Sequence, residues 1–281
     1  MGNGHSRRGY SVTSFTVNRR MAAASAAVCA QRHTIHGLTH VDISRPRRLM
    51  REHRERTGEA LSLTAYVVAC VARAVAEYPE LNAIRRGGRL FVLDDVTVST
   101  LVERDIEGEC VPEPFGIRAA QDKTFRQIHD EIREAQVHQD GRLGGLSGMT
   151  WVARFIPGFL FRTFIRMAAR SVRMAMRYGT VSVTAVGMFG HRGSPLWFIP
   201  LSGSTVAVTV GGIVSWPVVE QAFPDRSPQE GEPIEAREQL CLTVSFDHDI
   251  VDGAPAARFV ARLTELLESG SLLCENTGPV R

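Results

Sequence analysis

Leu240 to Leu267 reads LCLTVSFDHDIVDGAPAARFVARLTELL, and the fold turns on how it is read. Leu240, Leu242, Val244 and Phe246 alternate with Cys241, Thr243 and Ser245, which is the period of a strand with β-branched residues included. The chain then crosses Asp247-His248-Asp249-Ile250-Val251-Asp252-Gly253 and enters a helix, with Phe259, Leu263, Leu266 and Leu267 at helical spacing. A histidine thus stands at the end of a strand, with an acid and a glycine four and five residues further on at the turn into a helix. Strand ends and the loops after them are where rigid scaffolds carry chemistry.

Four more stretches accompany it. Gly179 to Gly190 reads GTVSVTAVGMFG; Phe198-Ile199-Pro200 and Ala207 to Ile213 follow; and Ala74 to Ala83 reads AVAEYPELNA. His248-x-x-x-Asp252-Gly253 with these flanks resembles the active-site signature of the 2-oxo acid dehydrogenase acyltransferase (E2) catalytic domain. The upstream stretch is similar to that family's GTFTISNLGMFG, the next two to its following strands, and the last to its helix ending in PELNA. The likeness runs from about Val17 to Leu267, broken by one insertion.

The resemblance implies a chloramphenicol acetyltransferase-like α/β fold, a two-layer sandwich with a mixed sheet, over 17–270. Residues 1–16 form an expected mobile arm and 271–281 a tail. It further implies a homotrimer with active sites between subunits, His248 of one copy facing Thr184 of its neighbour, and larger assembly stays open. Acyl transfer from a thioester needs a base to make a thiolate and a donor to hold the oxyanion. An imidazole, with a reference pKa of about 6.5, can take a thiol proton near neutrality, which makes His248 the expected base. Thr184 aligns with the family's oxyanion-binding hydroxyl. Asp252 orients the loop through a buried ion pair, with Arg20 (or Arg19) as its partner across the fold. Gly253 permits the tight turn.

Bulk properties bound the rest. A chain of 281 residues that is 44% hydrophobic can bury one large core or two modest ones. A net charge of +3 gives no reason to expect nucleic acid. Cys29, Cys70, Cys110, Cys241 and Cys274 are scattered without a C-x-x-C pair, the pattern of a reducing, cytoplasmic compartment. The opening residues lack the apolar stretch of a signal peptide, and no run reaches the length of a membrane span.

Along the chain, 17–30 reads as a helix capped near Asn18, 33–43 as a strand, 45–57 as an exposed helix and 62–77 as a buried one. Residues 89–102 read as one or two strands and 124–136 as an amphipathic helix. The strand histidines His36 and His40 have no carboxylate or cysteine at ligand spacing, and strand alternation points Asp247 and Asp249 away from His248, so no metal is expected. Leu272-Leu273-Cys274 stands where the family has a C-terminal apolar knob.

Three departures from the family pattern bear on function. Glu103, Asp105, Glu107, Glu109 and Glu113 make a channel-forming region acidic, against only Arg104 and Arg118, which disfavours the phosphates of coenzyme A. Asp249 stands where an arginine is usual. The inserted segment 151–177 holds six arginines and no acid, and 159–177 reads as one helix with Arg162, Arg166, Arg170, Arg173 and Arg177 in a stripe. Three settings stay open for that helix: an anionic membrane surface, an acidic partner (or the acidic 103–113 stretch of its own trimer), or the chain's own core.

No lipoyl domain, lipoylation site or subunit-binding domain is recognised. The leading expectation is therefore a stand-alone acyltransferase using coenzyme A or a lipoyl or other carrier thiol supplied in trans. The alternatives are a non-catalytic trimeric scaffold, with or without membrane association, and a small-molecule O- or N-acetyltransferase.

Overall fold

The computed structural model describes residues 10–106, 109–137, 158–191, 193–219 and 234–274. Most of the expected arm, the Asn18 side chain, the acidic side chains of 103–109, the first part of the insertion (151–157) and the end of the tail lie outside the described residues.

Eight strands and eight helices are described, in chain order. The strands are β1 (Thr34–Asp42), β2 (Ala83–Arg86), β3 (Arg89–Val92), β4 (Val98–Ile106), β5 (Glu109–Ile117), β6 (Val181–Ala185), β7 (Val206–Val219) and β8 (Ile234–Asp247). The helices are α1 (Val17–Cys29), α2 (Ser44–Thr57), α3 (Leu63–Glu77), α4 (Phe125–Val137), α5 (Gly158–Ala169), α6 (Val172–Tyr178), α7 (Gly253–Ser269) and α8 (Ser271–Cys274). Six strands form one sheet in the order β1-β8-β7-β6-β4-β5, while β2 and β3 make a separate hairpin. The pairs β6–β7 and β6–β4 are parallel and the other three antiparallel, so the sheet is mixed, as expected.

The alternation read in 240–246 decides which face is dry. Leu242 opposes Val210, Val244 opposes Val208 and Phe246 opposes Val206, with Val181 and Val183 continuing the row on β6. All are buried in one core with α3, α4 and α7. The other face carries hydroxyls: Thr184 opposes Thr209, and Thr209 opposes Thr243. Between Val210 and Ile213 the β7–β8 register slips at Gly211-Gly212. A Cβ on Gly211 would lie 2.0 Å from the Leu196 carbonyl oxygen, so only glycine lets that loop backbone lie on the strand.

Helix α3 starts where Ser62 accepts a hydrogen bond from the Ala65 amide, and most of its residues are buried. Helix α7 buries Ala256, Phe259, Leu263 and Leu267, at spacings of three and four, and ends at Gly270 in the left-handed region. Each of the larger three contributes roughly 1.5–3 kcal/mol by leaving water. Tyr66 ties the two helices together by donating to the Leu266 and Leu267 carbonyls. Leu272 and Leu273 are buried in this same core, so in the single chain they form no projecting knob.

Three expectations need correcting. The cap of α1 is Thr16, whose hydroxyl accepts from the Arg19 amide. Phe198-Ile199-Pro200 is not a strand: prolines at 195 and 200 remove ladder donors, and the segment runs as irregular chain. Residues 159–177 fall in two helices rather than one, because the chain tightens to i→i−3 bonds at Arg170 and Ser171, and Ser171 takes extended backbone angles as the cap of α6. Of the three settings for the insertion, α5 takes the chain's own body, Ile165 packing on α1 beside Ala24, Val17 and Met21. Among the described residues, no helix is long and apolar enough to cross a membrane.

Candidate active site

Strand β8 ends at Asp247, whose amide donates to the Thr205 carbonyl, and the next amide, of His248, donates to the His33 carbonyl. The loop is thereby fixed to neighbouring chain on both sides before α7 begins. Within it, His248 Nδ1 lies 2.9 Å from the Val251 carbonyl oxygen. A carbonyl can only accept, so Nδ1 is the donor and in the neutral ring Nε2 carries the lone pair. The ring is half exposed, at 45%.

Asp252 precedes α7 as its cap residue, with no capping hydrogen bond from its side chain. Its carboxylate lies 3.8 Å from His248 Nδ1, beyond hydrogen-bond range, and is 88% exposed. The buried ion pair expected for Asp252 is therefore not formed within one chain, and Arg20, exposed on α1, makes no ion pair with it among the described residues. Gly253 takes no left-handed angle, and a Cβ there would meet nothing within 4 Å, so the turn itself does not demand glycine.

Thr184 and His248 do not meet in one chain. Thr205, next to Asp247, bonds to Thr180, which places the histidine loop at the opening end of β6. Thr184 stands four residues further along, about 13 Å at the usual rise per residue. It is partly exposed on the hydroxyl-bearing face, near the loop carrying Met188 and Phe189, which are 72% and 69% exposed.

The two acids flanking His248 are both engaged away from it. Asp247, nearly buried, accepts from Arg32 Nη1 at 2.6 Å. Asp249 accepts from Arg85 Nη1 at 2.7 Å and lies 2.9 Å from His33 Nδ1. Its carboxyl is held below its ordinary range, chiefly by the His33 hydrogen bond and then by the Arg85 charge. The altered charge after the histidine is thus matched by Arg85 from the β2–β3 hairpin. Nothing in the local sequence signals that hairpin contact, and the Val251 carbonyl, as backbone, has no sequence signature at all. Glu113, counted among the channel acids, is buried instead.

One group elsewhere, Glu59, His129 and Asp130, brings possible metal-ligand atoms within 4.8 Å of one another. There the Ser62 amide donates to His129 Nδ1, so the neutral ring holds its proton on Nε2, towards Glu59. Glu59 is also paired with Arg126. The arrangement is that of an ion-pair network.

This fold has solved and curated counterparts. A probable dihydrolipoamide acetyltransferase from Listeria monocytogenes matches with a TM-score of 0.67 and 22% identity, covering 97% of this chain and 99% of that one. A dihydrolipoamide acetyltransferase from Azotobacter vinelandii matches at 0.65 with 18% identity, covering 93% of each. The lipoamide acyltransferase component of the branched-chain alpha-keto acid dehydrogenase complex of Bacillus subtilis is 26% identical over 75% of this chain and 40% of that protein. The dihydrolipoyllysine-residue succinyltransferase component from Staphylococcus saprophyticus is 24% identical over 83% of this chain and 45% of its own length. The chain spans less than half the length of these curated relatives. The 2-oxoacid dehydrogenases acyltransferase (catalytic domain) family matches residues 6–147 and 167–274, and the unmatched interval falls largely on the arginine-rich insertion. With most of its length matched in this way, the chain belongs to that family.

Proposed function

We propose that the chain transfers an acyl group between two thiols, with His248 as general base and Thr184 as oxyanion donor. The observation that carries this reading is the His248 Nδ1–Val251 carbonyl bond, which turns a lone-pair Nε2 outward from a fixed loop. Nε2 takes the proton of the incoming thiol as its sulfur bonds to the thioester carbon. The carbonyl oxygen becomes an oxyanion that accepts from the Thr184 hydroxyl. Collapse breaks the original C–S bond, and the departing thiolate recovers the proton from Nε2. No acyl-enzyme forms.

Within this reading Thr184 comes from a second copy of the chain. The run of β6 between Thr180, beside the His248 loop, and Thr184 supports that, as do Met188 and Phe189, exposed a few residues on from Thr184 in the way apolar side chains at an interface are. A trimer would bring Asp252 and the Cβ-free surface of Gly253 against a neighbour, with Arg20 as the candidate partner. One solved relative comes from work on the roles of a serine, a histidine and an asparagine in the mechanism of the Azotobacter vinelandii acetyltransferase, the last two four residues apart. His248 and Asp252 have that spacing, and threonine keeps the serine's donor. The proposed donor is an acyl-coenzyme A and the acceptor a dihydrolipoyl or other carrier thiol supplied in trans.

The test is transfer from a panel of acyl-coenzyme A thioesters to free dihydrolipoamide and to a lipoyl-domain protein. The expected result is turnover that collapses in His248→Ala. A folded oligomer that is inactive with both acceptors, or a His248→Ala variant as active as wild type, would overturn the assignment.

A further inference from the structure

The insertion does more than lie on α1. Between the end of α1, helix α5, the β2–β3 hairpin and the β8 end lies a cavity of about 290 Å³, near the lower limit of small-molecule pockets. Arg32, Arg85, Arg166 and Arg170 line it together with Asp247 and Asp249. Four guanidinium groups against two carboxylates leave two positive charges. Both carboxylates are committed, Asp247 to Arg32 and Asp249 to Arg85. Arg166 donates to the neutral Gln31 Oε1 at 2.9 Å, and among the described residues neither Arg166 nor Arg170 has a carboxylate partner. The carbonyl ends of α1 and α5 also border the cavity, each equivalent to about half a negative charge. Together they offset about one of the two positive charges and, among the described residues, leave the other without a counter-ion.

We propose that this cavity binds a phosphate group, with Arg166 and Arg170 as its principal donors. The donors approach from three sides: the segment after α1 (Arg32), the hairpin (Arg85), and α5 with the turn after it (Arg166 and Arg170). A tetrahedral oxyanion can accept from several directions, whereas a planar carboxylate presents two oxygens in one plane. The site is separate from the thiol site, because Asp247 and Asp249 line the cavity while His248 does not. It does not rest on the acyl-transfer reading.

The experiment is titration calorimetry at low ionic strength with inorganic phosphate, adenosine 5′-monophosphate and succinate as probes. Wild type is compared with the double variant Arg166→Gln/Arg170→Gln, with Arg48→Gln/Arg56→Gln as a control of equal charge change on α2, and with His248→Ala. Phosphate or the nucleotide should bind wild type and His248→Ala alike, better than succinate. Affinity should fall about tenfold for each arginine removed from the cavity and stay within about twofold in the α2 control. Tighter binding of the nucleotide than of phosphate would mean that the phosphate belongs to a larger ligand, and equal affinity that the free ion suffices; either upholds the site. Absence of binding to wild type, succinate binding as tightly, or an equal loss in the α2 control would overturn it.

Discussion

Removing the Arg32 guanidinium should damage the chain well beyond a surface substitution. Arg32 Nη1 lies 2.6 Å from Asp247 Oδ2, with the two side chains only 21% and 8% exposed. Breaking a fully buried pair by removing one partner costs about 3–5 kcal/mol, mostly because the remaining charge is stranded. Arg32 is a fifth exposed, so water can partly replace it at Asp247, and Arg32→Met should cost about 2–3 kcal/mol. At roughly 2–4 °C per kcal/mol for a chain of this size, Tm should fall by about 4–12 °C. Asp247→Asn leaves a guanidinium that can reach solvent and should cost less, about 1–2 kcal/mol. The double variant strands no charge and should lie closer to Asp247→Asn than to the sum, a coupling of about 1–2 kcal/mol. Urea unfolding of the four proteins at one concentration reads this cycle. Asp247 also accepts from the Asp249 amide and anchors the loop through Thr205, so Arg32→Met should lower turnover about tenfold while Asp247→Asn lowers it less. A strictly additive double variant, or an Arg32→Met protein within 0.5 kcal/mol of wild type, would refute the stranded-charge reasoning.

Thr184→Val keeps the shape and removes the donor, and should cut turnover about 100- to 1000-fold in a thiol-transfer assay with stability changed little, while Thr184→Ser retains most of it. Gly179→Ala should prevent folding, as judged by soluble yield and circular dichroism: the residue has φ +85°, and a Cβ would stand 1.9 Å from the Thr97 carbonyl oxygen. Burial holds the His129 imidazole below its ordinary value, with the nearby Arg133 charge acting the same way. The unfolded chain therefore takes up a proton before the folded one, and stability should fall as pH drops below about 6.5 until the folded ring also titrates. His129→Gln should flatten that part of the Tm-against-pH curve, and an unchanged slope would contradict the assignment. Asp249→Arg, which restores the family's usual residue type, should here set a cation against Arg85 and lower Tm by a few degrees, and Arg85→Gln in the same chain should restore most of the loss.

What could be read from the sequence follows from the range of each interaction. Phe246 and Leu242 declare a dry face through their own spacing, and Phe259, Leu263 and Leu267 declare a helix stripe, because burial is periodic along the chain that carries it. The same is true of the placement of His248, which needs only a strand end and a helix start. The contacts that specify its state are not periodic. Val251 acts through its carbonyl, which every residue has. Arg85 meets Asp249 across 164 positions of sequence, and Arg32 meets Asp247 across 215. The break between α5 and α6 is equally hidden, since Ser171 fits a helix surface as readily as a cap. Thr184 is the informative case. Its alternation with Val183 puts it on the hydroxyl face, yet no residue of the described chain brings His248 to it. Thr184 lies four residues along β6 from Thr180, beside which the His248 loop is held, and local flexing of β6 cannot close that run of about 13 Å, because its neighbours pin both its edges. If the two act together, the chemistry requires a second copy of the chain. Mixing His248→Ala with Thr184→Val protein should then restore part of the activity through hybrid assemblies in which one interface carries both intact residues, and two inactive proteins that stay inactive after verified subunit exchange would rule the shared site out.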